Sequence, residues 1–145
     1  MMAQVDSSTE ASIDTDDGGI RVVCVDDEPG LAEAVSTALE HVDDDIRATA
    51  TTCPMDALEL VEEEALDCVV SDYDMPGRDG AWLCERVEEH DVPFVLYTSH
   101  SELSIDLDDP QLRGVSTVVR KDRGMAHYAD LAEHIRRAIA VETSL

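Results

Sequence analysis

Five residues of this 145-residue chain combine types and positions that could handle a phosphoryl group and a hard cation: Asp26, Asp27, Asp72, Thr98 and Lys121. Each follows a short apolar run, namely Ile20 to Val25, Leu66 to Ser71, Val92 to Tyr97 and Val115 to Val119, and runs of that length and content read as buried strands. Parallel strands all point one way, so groups at their carboxyl ends converge on the sheet edge where connecting loops leave a crevice. Three carboxylates crowded there repel one another, and a proton or a cation must relieve them. Mg2+ suits such a set because it takes hard oxygen ligands, uses one or two carboxylates, and keeps waters plus a phosphoryl oxygen. A carboxylate is also a nucleophile that can accept a phosphoryl group as an acyl phosphate. Thr98 could then donate a hydrogen bond to that group, and Lys121 could neutralise part of its charge.

The elements that must position these residues are legible around Cys68 to Gly80, where an apolar run stops at Asp72 and a Pro/Gly-containing turn follows. Ile20 to Val25 reads as strand one, and Leu31, Ala34, Val35, Ala38 and Leu39 give one apolar helical face after Pro29. Ile46 to Thr51 is a second strand, and Cys53-Pro54 opens a helix bearing Ala57, Leu58 and Val61. Asp79 can cap a third helix carrying Leu83 and Val87. Ser101 to Arg113 is polar and gives the weakest helical pattern. Met125, Tyr128, Leu131, Ala132, Ile135 and Ile139 make the clearest amphipathic helix. Five strands alternating with five helices predict a parallel sheet covered on both faces.

Composition bounds what such a domain can meet. There are 34 acidic against 10 basic residues, for a net charge of −24, a field that repels phosphates and makes direct nucleic-acid or anionic-membrane binding unexpected. The acidic excess resembles that of proteins from salt-accumulating archaea, where high salt shortens the screening length; an acidic protein of an ordinary organism is the alternative. Residues 110–145 differ locally, with only 4 acids and 6 basic residues, and Lys121 is the single lysine of the chain. Cys24, Cys53, Cys68 and Cys84 show no metal or redox spacing and read as small buried hydrophobes in a reducing compartment. The amino terminus lacks a basic and an apolar region, and no apolar run is long enough to span a bilayer. A cytoplasmic protein is expected.

With these residues in view, the chain resembles the CheY-like receiver domain of two-component response regulators over roughly residues 20 to 141. The acidic pair Asp26-Asp27, the run Asp72-x-x-Met75-Pro76-x-x-Asp79-Gly80, Thr98 and Lys121 carry the resemblance in type, order and strand position. It implies a flavodoxin-like, doubly wound (βα)5 fold with sheet order 2-1-3-4-5. It implies Mg2+ held by Asp26, Asp27, Asp72 and the backbone carbonyl of Asp74. It further implies phosphorylation of Asp72 by a histidine kinase, with Thr98 and Lys121 reading the phosphoryl group. Residues 1–19 are then expected as a flexible acidic tail and 142–145 as a short carboxyl-terminal tail. Signalling is expected to go by conformational change to a downstream protein or a second receiver, without a DNA-binding output domain and without turnover of a separate substrate. Arg120, Arg123, Arg136 and Arg137 around strand five and the last helix are the expected docking face, unless Arg136 and Arg137 only complement a helix dipole.

Departures and rivals shape these expectations. Asp122 stands where receivers usually have a proline, and Val118 where many carry a switching aromatic, so ring rotation there is expected to be absent or altered. Asp74 and His100 occupy positions that influence phosphoryl lifetime in the family. Asp27 could instead cap the first helix. A haloacid-dehalogenase-like phosphatase also uses a D-x-D such as Asp72-x-Asp74 with a Thr and a Lys, but there the D-x-D strand comes first, whereas Asp26-Asp27 precede it here. A flavodoxin-like binding module would need Gly, Ser and Thr rather than acids in the first loop. A phosphorylation-independent, receiver-like scaffold is the remaining alternative.

Overall fold

Apolar strands and amphipathic helices alternate along the chain as their periodicities dictate. The computed structural model describes residues 19–73, 75, 79–99, 105, 108–121 and 125–143. The elements are β1 (Ile20–Val25), α1 (Pro29–Val42), β2 (Ile46–Thr51), α2 (Pro54–Glu63), β3 (Cys68–Ser71), α3 (Gly80–Glu88), β4 (Phe94–Thr98), β5 (Val115–Arg120) and α4 (Met125–Thr143). All strand pairs are parallel and the sheet order is β2-β1-β3-β4-β5, the doubly wound flavodoxin-like arrangement. The core is split by the sheet. Val22, Cys24, Cys68, Val70, Val95 and Tyr97 face α1 and α4 through Val35, Leu39, Leu131 and Ile135. Val23, Val25, Val69, Phe94 and Leu96 face α2 and α3 through Ala57, Val61, Leu83 and Val87. Positions buried on both faces favour apolar residues, which is why Val22 to Val25 of β1 and Cys68 to Val70 of β3 read as continuous runs rather than alternating ones.

Boundaries follow local chemistry. Proline occupies the first turn of both α1 and α2, where its missing N–H costs nothing. Asp79 caps α3 as expected, its carboxylate accepting from the Trp82 N–H at 3.0 Å. The third strand starts at Cys68 rather than Leu66, because the Leu66 N–H is still bonded to the Glu64 carbonyl in the turn leaving α2. The fourth starts at Phe94, after Asp91 in a left-handed conformation (φ 59°) and Pro93, which has no N–H to give the ladder. Between β4 and β5 the expected helix over Ser101 to Arg113 falls largely outside the described residues. Its described part is a 3-10 turn, Pro110–Leu112, capped by Asp109 through the Gln111 N–H at 2.9 Å. Among the described residues there are thus four α-helices rather than five.

One irregularity sets the phase of β5. Phe94 pairs with Val115 and Val95 with Thr117, which leaves Ser116 as a bulge. Val115 and Val118, three apart, therefore pack on the same α2/α3 face, while Val119 joins Tyr97 on the α1/α4 face. Val118 lies against that core as an aliphatic residue, with no ring to rotate. Among the described residues, no helix is long and apolar enough to cross a membrane.

Candidate functional site

The ladder runs past the strand ends and delivers the site. The Asp26 N–H donates to the Thr51 carbonyl (3.2 Å), the Asp72 N–H to the Val25 carbonyl (2.9 Å) and the Lys121 N–H to the Thr98 carbonyl (2.9 Å). Each of these residues is thus fixed by the neighbouring strand as well as by its own. Asp26, Asp27 and Asp72 each place a carboxylate oxygen so that all three lie within 4.8 Å of one another. The Lys121 ammonium reaches into the same space, 3.0 Å from Asp26 Oδ2 and 3.4 Å from Asp72 Oδ1. Asp26 and Asp72 are buried, Asp27 is exposed, and Thr98 has no solvent exposure at the end of β4.

Local bonds hold the two buried acids still. Asp26 Oδ1 accepts from the Glu28 N–H at 3.0 Å, and Asp72 Oδ1 accepts from the Tyr73 N–H at 3.0 Å. The residue flanking α1 at its start is Glu28, which makes no side-chain cap, so Asp27 is not spent as a helix cap. Behind Asp72, the Gly80 N–H donates to the Tyr73 carbonyl at 2.9 Å. A Cβ on Gly80 would stand 2.5 Å from the Asp72 carbonyl oxygen, so only glycine lets α3 begin this close to the acid.

The electrostatics are strained in one direction. Burial pushes the Asp72 carboxyl above the ordinary range; Lys121 opposes that rise and the Asp26 charge adds to it. For Lys121, burial acts to lower the ammonium, but its hydrogen bond to Asp26 and the charges of Asp72 and Asp26 outweigh burial and hold it above its usual value. One ammonium beside three carboxylates leaves an excess of negative charge, and the three hard oxygen donors could together hold a cation such as Mg2+. The backbone carbonyl of Asp74, expected as a further ligand, lies outside the described residues, as do His100, Asp122, Arg123 and the tail over 1–18.

The structure therefore brings Asp26, Asp27, Asp72 and Lys121 together, with Thr98 joined to Lys121 through the backbone. It also shows two groups that sequence reasoning passed over. Tyr97 is 4% exposed, carries the Lys121 ammonium 5.8 Å from its ring centroid, and bonds His127 of α4 through its hydroxyl at 2.8 Å. Strand alternation could have placed Tyr97 on the face opposite Leu96, but nothing in the spacing of α4 marks His127. Of the expected docking arginines, Arg136 is engaged within the fold. Its guanidinium grips Asp43 at 2.7 and 2.8 Å and Asp45 at 3.0 Å, tying α4 to the turn after α1. Arg137 pairs with Glu133 one turn away at 3.6 Å.

Comparison with known proteins agrees with this fold. The response regulator receiver domain family matches the chain over residues 22–136. The two-component response regulator ARR12 of Arabidopsis thaliana is 37% identical over 87 residues, covering 58% of this chain and 14% of that protein. The heme response regulator HssR of Staphylococcus aureus is 31% identical over 107 residues, covering 70% of this chain and 45% of that protein. The chain thus spans less than half the length of these curated relatives. Among solved structures, the response regulator TrrA of Thermotoga maritima, in complex with Mg2+ and BeF, superposes with a TM-score of 0.68 at 22% identity, covering 82% of this chain and 98% of that one. The signal receiver domain of NarL from Mycobacterium tuberculosis gives 0.69 at 27% identity, covering 84% and 98%.

Proposed function

The chain belongs to the response regulator receiver domain family, and from that premise we propose that it accepts a phosphoryl group on Asp72 from a phosphohistidine of a histidine kinase. A carboxylate oxygen of Asp72 attacks phosphorus, the P–N bond breaks, the imidazole leaves, and an acyl phosphate forms. The observation that carries this reading is the junction of three carboxylates within 4.8 Å with an ammonium at 3.0 and 3.4 Å. That arrangement has more negative charge than Lys121 can offset, and the excess is what a divalent cation bound beside a nucleophilic carboxylate needs. Asp26, Asp27 and Asp72, with the Asp74 carbonyl, would hold Mg2+, whose charge when bound offsets that of the phosphoryl oxygens. Lys121 would pair with a phosphoryl oxygen in exchange for Asp72, and Thr98 would donate the hydrogen bond to it.

The remaining role is transmission. Phosphorylation favours one of two packings of the segment after β4 and the β5/α4 face, and a downstream protein or a second receiver reads that change. Arg120, exposed at the end of β5, and Arg137, exposed on α4, remain the cationic contacts for an acidic partner, whereas Arg136 is occupied. The protein acts in the cytoplasm as a phosphoacceptor rather than as an enzyme with a separate substrate, and it does not contact nucleic acid or membrane directly.

Incubation with Mg2+ and acetyl phosphate, read by intact mass at low and at high KCl, tests the acceptor. A Mg2+-dependent gain of one phosphoryl group that disappears in Asp72→Asn is the expected result, and a gain that grows with KCl would support salt adaptation. Phosphorylation that survives in Asp72→Asn overturns the assignment. Folded protein that never gains mass favours the phosphorylation-independent scaffold.

A further inference from the structure

Tyr97 faces both ways along one short path. Its ring lies beneath the Lys121 ammonium, 5.8 Å from centroid to nitrogen. Its hydroxyl meets His127 Nε2 at 2.8 Å, and the two rings stack with centroids 5.5 Å apart and planes 22° apart. His127 in turn lies against Tyr128, with centroids 5.4 Å apart, and Tyr128 packs on the α1/α4 core. A buried ring that carries a hydroxyl and a cation contact at once has little freedom to move one without the other. Because Lys121 must exchange Asp72 for a phosphoryl oxygen, any displacement of its ammonium changes the load on this ring.

We propose that Tyr97 is a positioning residue for Lys121 and that the Tyr97–His127 pair carries the position of that ammonium to the first turn of α4. The proposal rests on the reading of Lys121 as the group that pairs with the phosphoryl oxygen. The ring and the hydroxyl have separable duties. The ring face restrains the ammonium through the cation–π contact, and the hydroxyl passes displacement of the ring to the helix. The path starts at a side chain of the site and ends on a helix that buries Leu131 and Ile135 against the sheet, so a shift of its first turn is felt along the α1/α4 seam.

The test separates the two duties by variant and the two readings by probe. The side-chain NMR resonances of His127 are assigned with His127→Gln and followed in the intact chain upon Lys121→Met, without any phosphodonor, and again upon Mg2+ with acetyl phosphate. Both treatments are expected to shift the His127 resonances, and the Lys121→Met response is expected to vanish in the Tyr97→Leu background. In Tyr97→Phe, which keeps the ring and its volume, the His127 response should be lost while the phosphorylation rate falls far less than in Tyr97→Leu. In Tyr97→Leu the rate should fall roughly three- to tenfold. A destabilised core alone would not split rate from resonance in this way. A His127 signal indifferent to Lys121→Met overturns the proposal. A signal that responds to Lys121→Met in a chain that takes no phosphoryl group upholds the coupling and overturns the acceptor reading instead.

Discussion

At the carboxyl edge of the sheet Lys121 stands between Asp26 and Asp72, and at the end of α1 Arg136 stands between Asp43 and Asp45. Each place sets one cation against two aspartates. At the first, a compact ammonium lies 3.0 and 3.4 Å from carboxylates that are 6% and 8% exposed, a third acid is close by, and the Asp72 carboxyl is pushed up by burial. At the second, a planar fork makes three bonds of 2.7 to 3.0 Å in a more open setting, and its hydrogen bonds hold the Asp43 carboxyl below the usual range. The planar guanidinium is held by a bidentate pair of bonds to Asp43 and a third to Asp45; the ammonium is a point charge that can change partners. What separates the two is the third acid beside Lys121 and the freedom of an ammonium to change partners, against a guanidinium held by a bidentate grip.

The largest expected contrast comes from the backbone beneath the site. Gly80→Ala places a methyl 2.5 Å from the Asp72 carbonyl oxygen, so it should lower the unfolding free energy by about 1–3 kcal/mol and slow Mg2+-dependent phosphorylation roughly tenfold or more by shifting Asp72. Denaturant melts and mass-resolved kinetics check both, and an unchanged rate would show that α3 does not set the acid's position. Arg136→Ala should show the opposite balance, costing about 0.5–1 kcal/mol because the guanidinium and Asp45 stay open to solvent although Asp43 is half-buried, with no change in phosphorylation rate. Loss of phosphorylation in that variant would erase the distinction between the two clusters. Burial of Leu131 and Ile135 along the same seam outweighs that clamp, since emptying one such position costs about 2–5 kcal/mol.

The smallest contrast is in pH, and its sign differs between the two clusters. Asp43 has a depressed folded value, so its stabilisation is fully present above the ordinary carboxylate pKa of about 3.9 and is lost as pH falls through that lower value. Asp72 has a raised folded value, so its contribution declines as pH rises from about 3.9 through that higher value. Thermal melts across this range, without divalent cation, should lose the acid-side dependence in Arg136→Ala and the opposing dependence in Asp72→Asn. Equal slopes in all three proteins would mean that neither cluster departs from ordinary carboxylates.

The strands were readable because four of the five end at residues of distinct chemistry, and their order came with the resemblance to receiver domains. Val25 gives way to Asp26, Val70 to Ser71-Asp72 and Tyr97 to Thr98, so strand ends and site residues are marked by the same change from apolar to polar. Gly80 could be read as part of the turn, but its close approach to the Asp72 carbonyl is a three-dimensional fact with no sequence period. Arg136 looked like a free surface charge because its partners lie more than ninety positions away, in a turn whose acids resemble the general acidic background. The Tyr97–His127 contact was hidden for the same reason, with thirty residues between its members. The segment after β4 carries little periodic signal in the sequence, and its described part includes a 3-10 turn over Pro110–Leu112.

Counted as information, the bulge at Ser116 is a parity bit. A strand is read in twos, and one surplus residue reverses the reading for everything on one side of it. Lys121 is pinned to Thr98 by its backbone, and at the other end Gly114 is pressed against α3, where a Cβ would come 3.1 Å from Glu88 Cβ. Both ends of β5 are therefore held in opposite phase to what an even strand would allow. Lineages that gain or lose a single residue between these anchors must restore the count nearby, or turn either Val115 or Lys121 to the wrong side of the sheet.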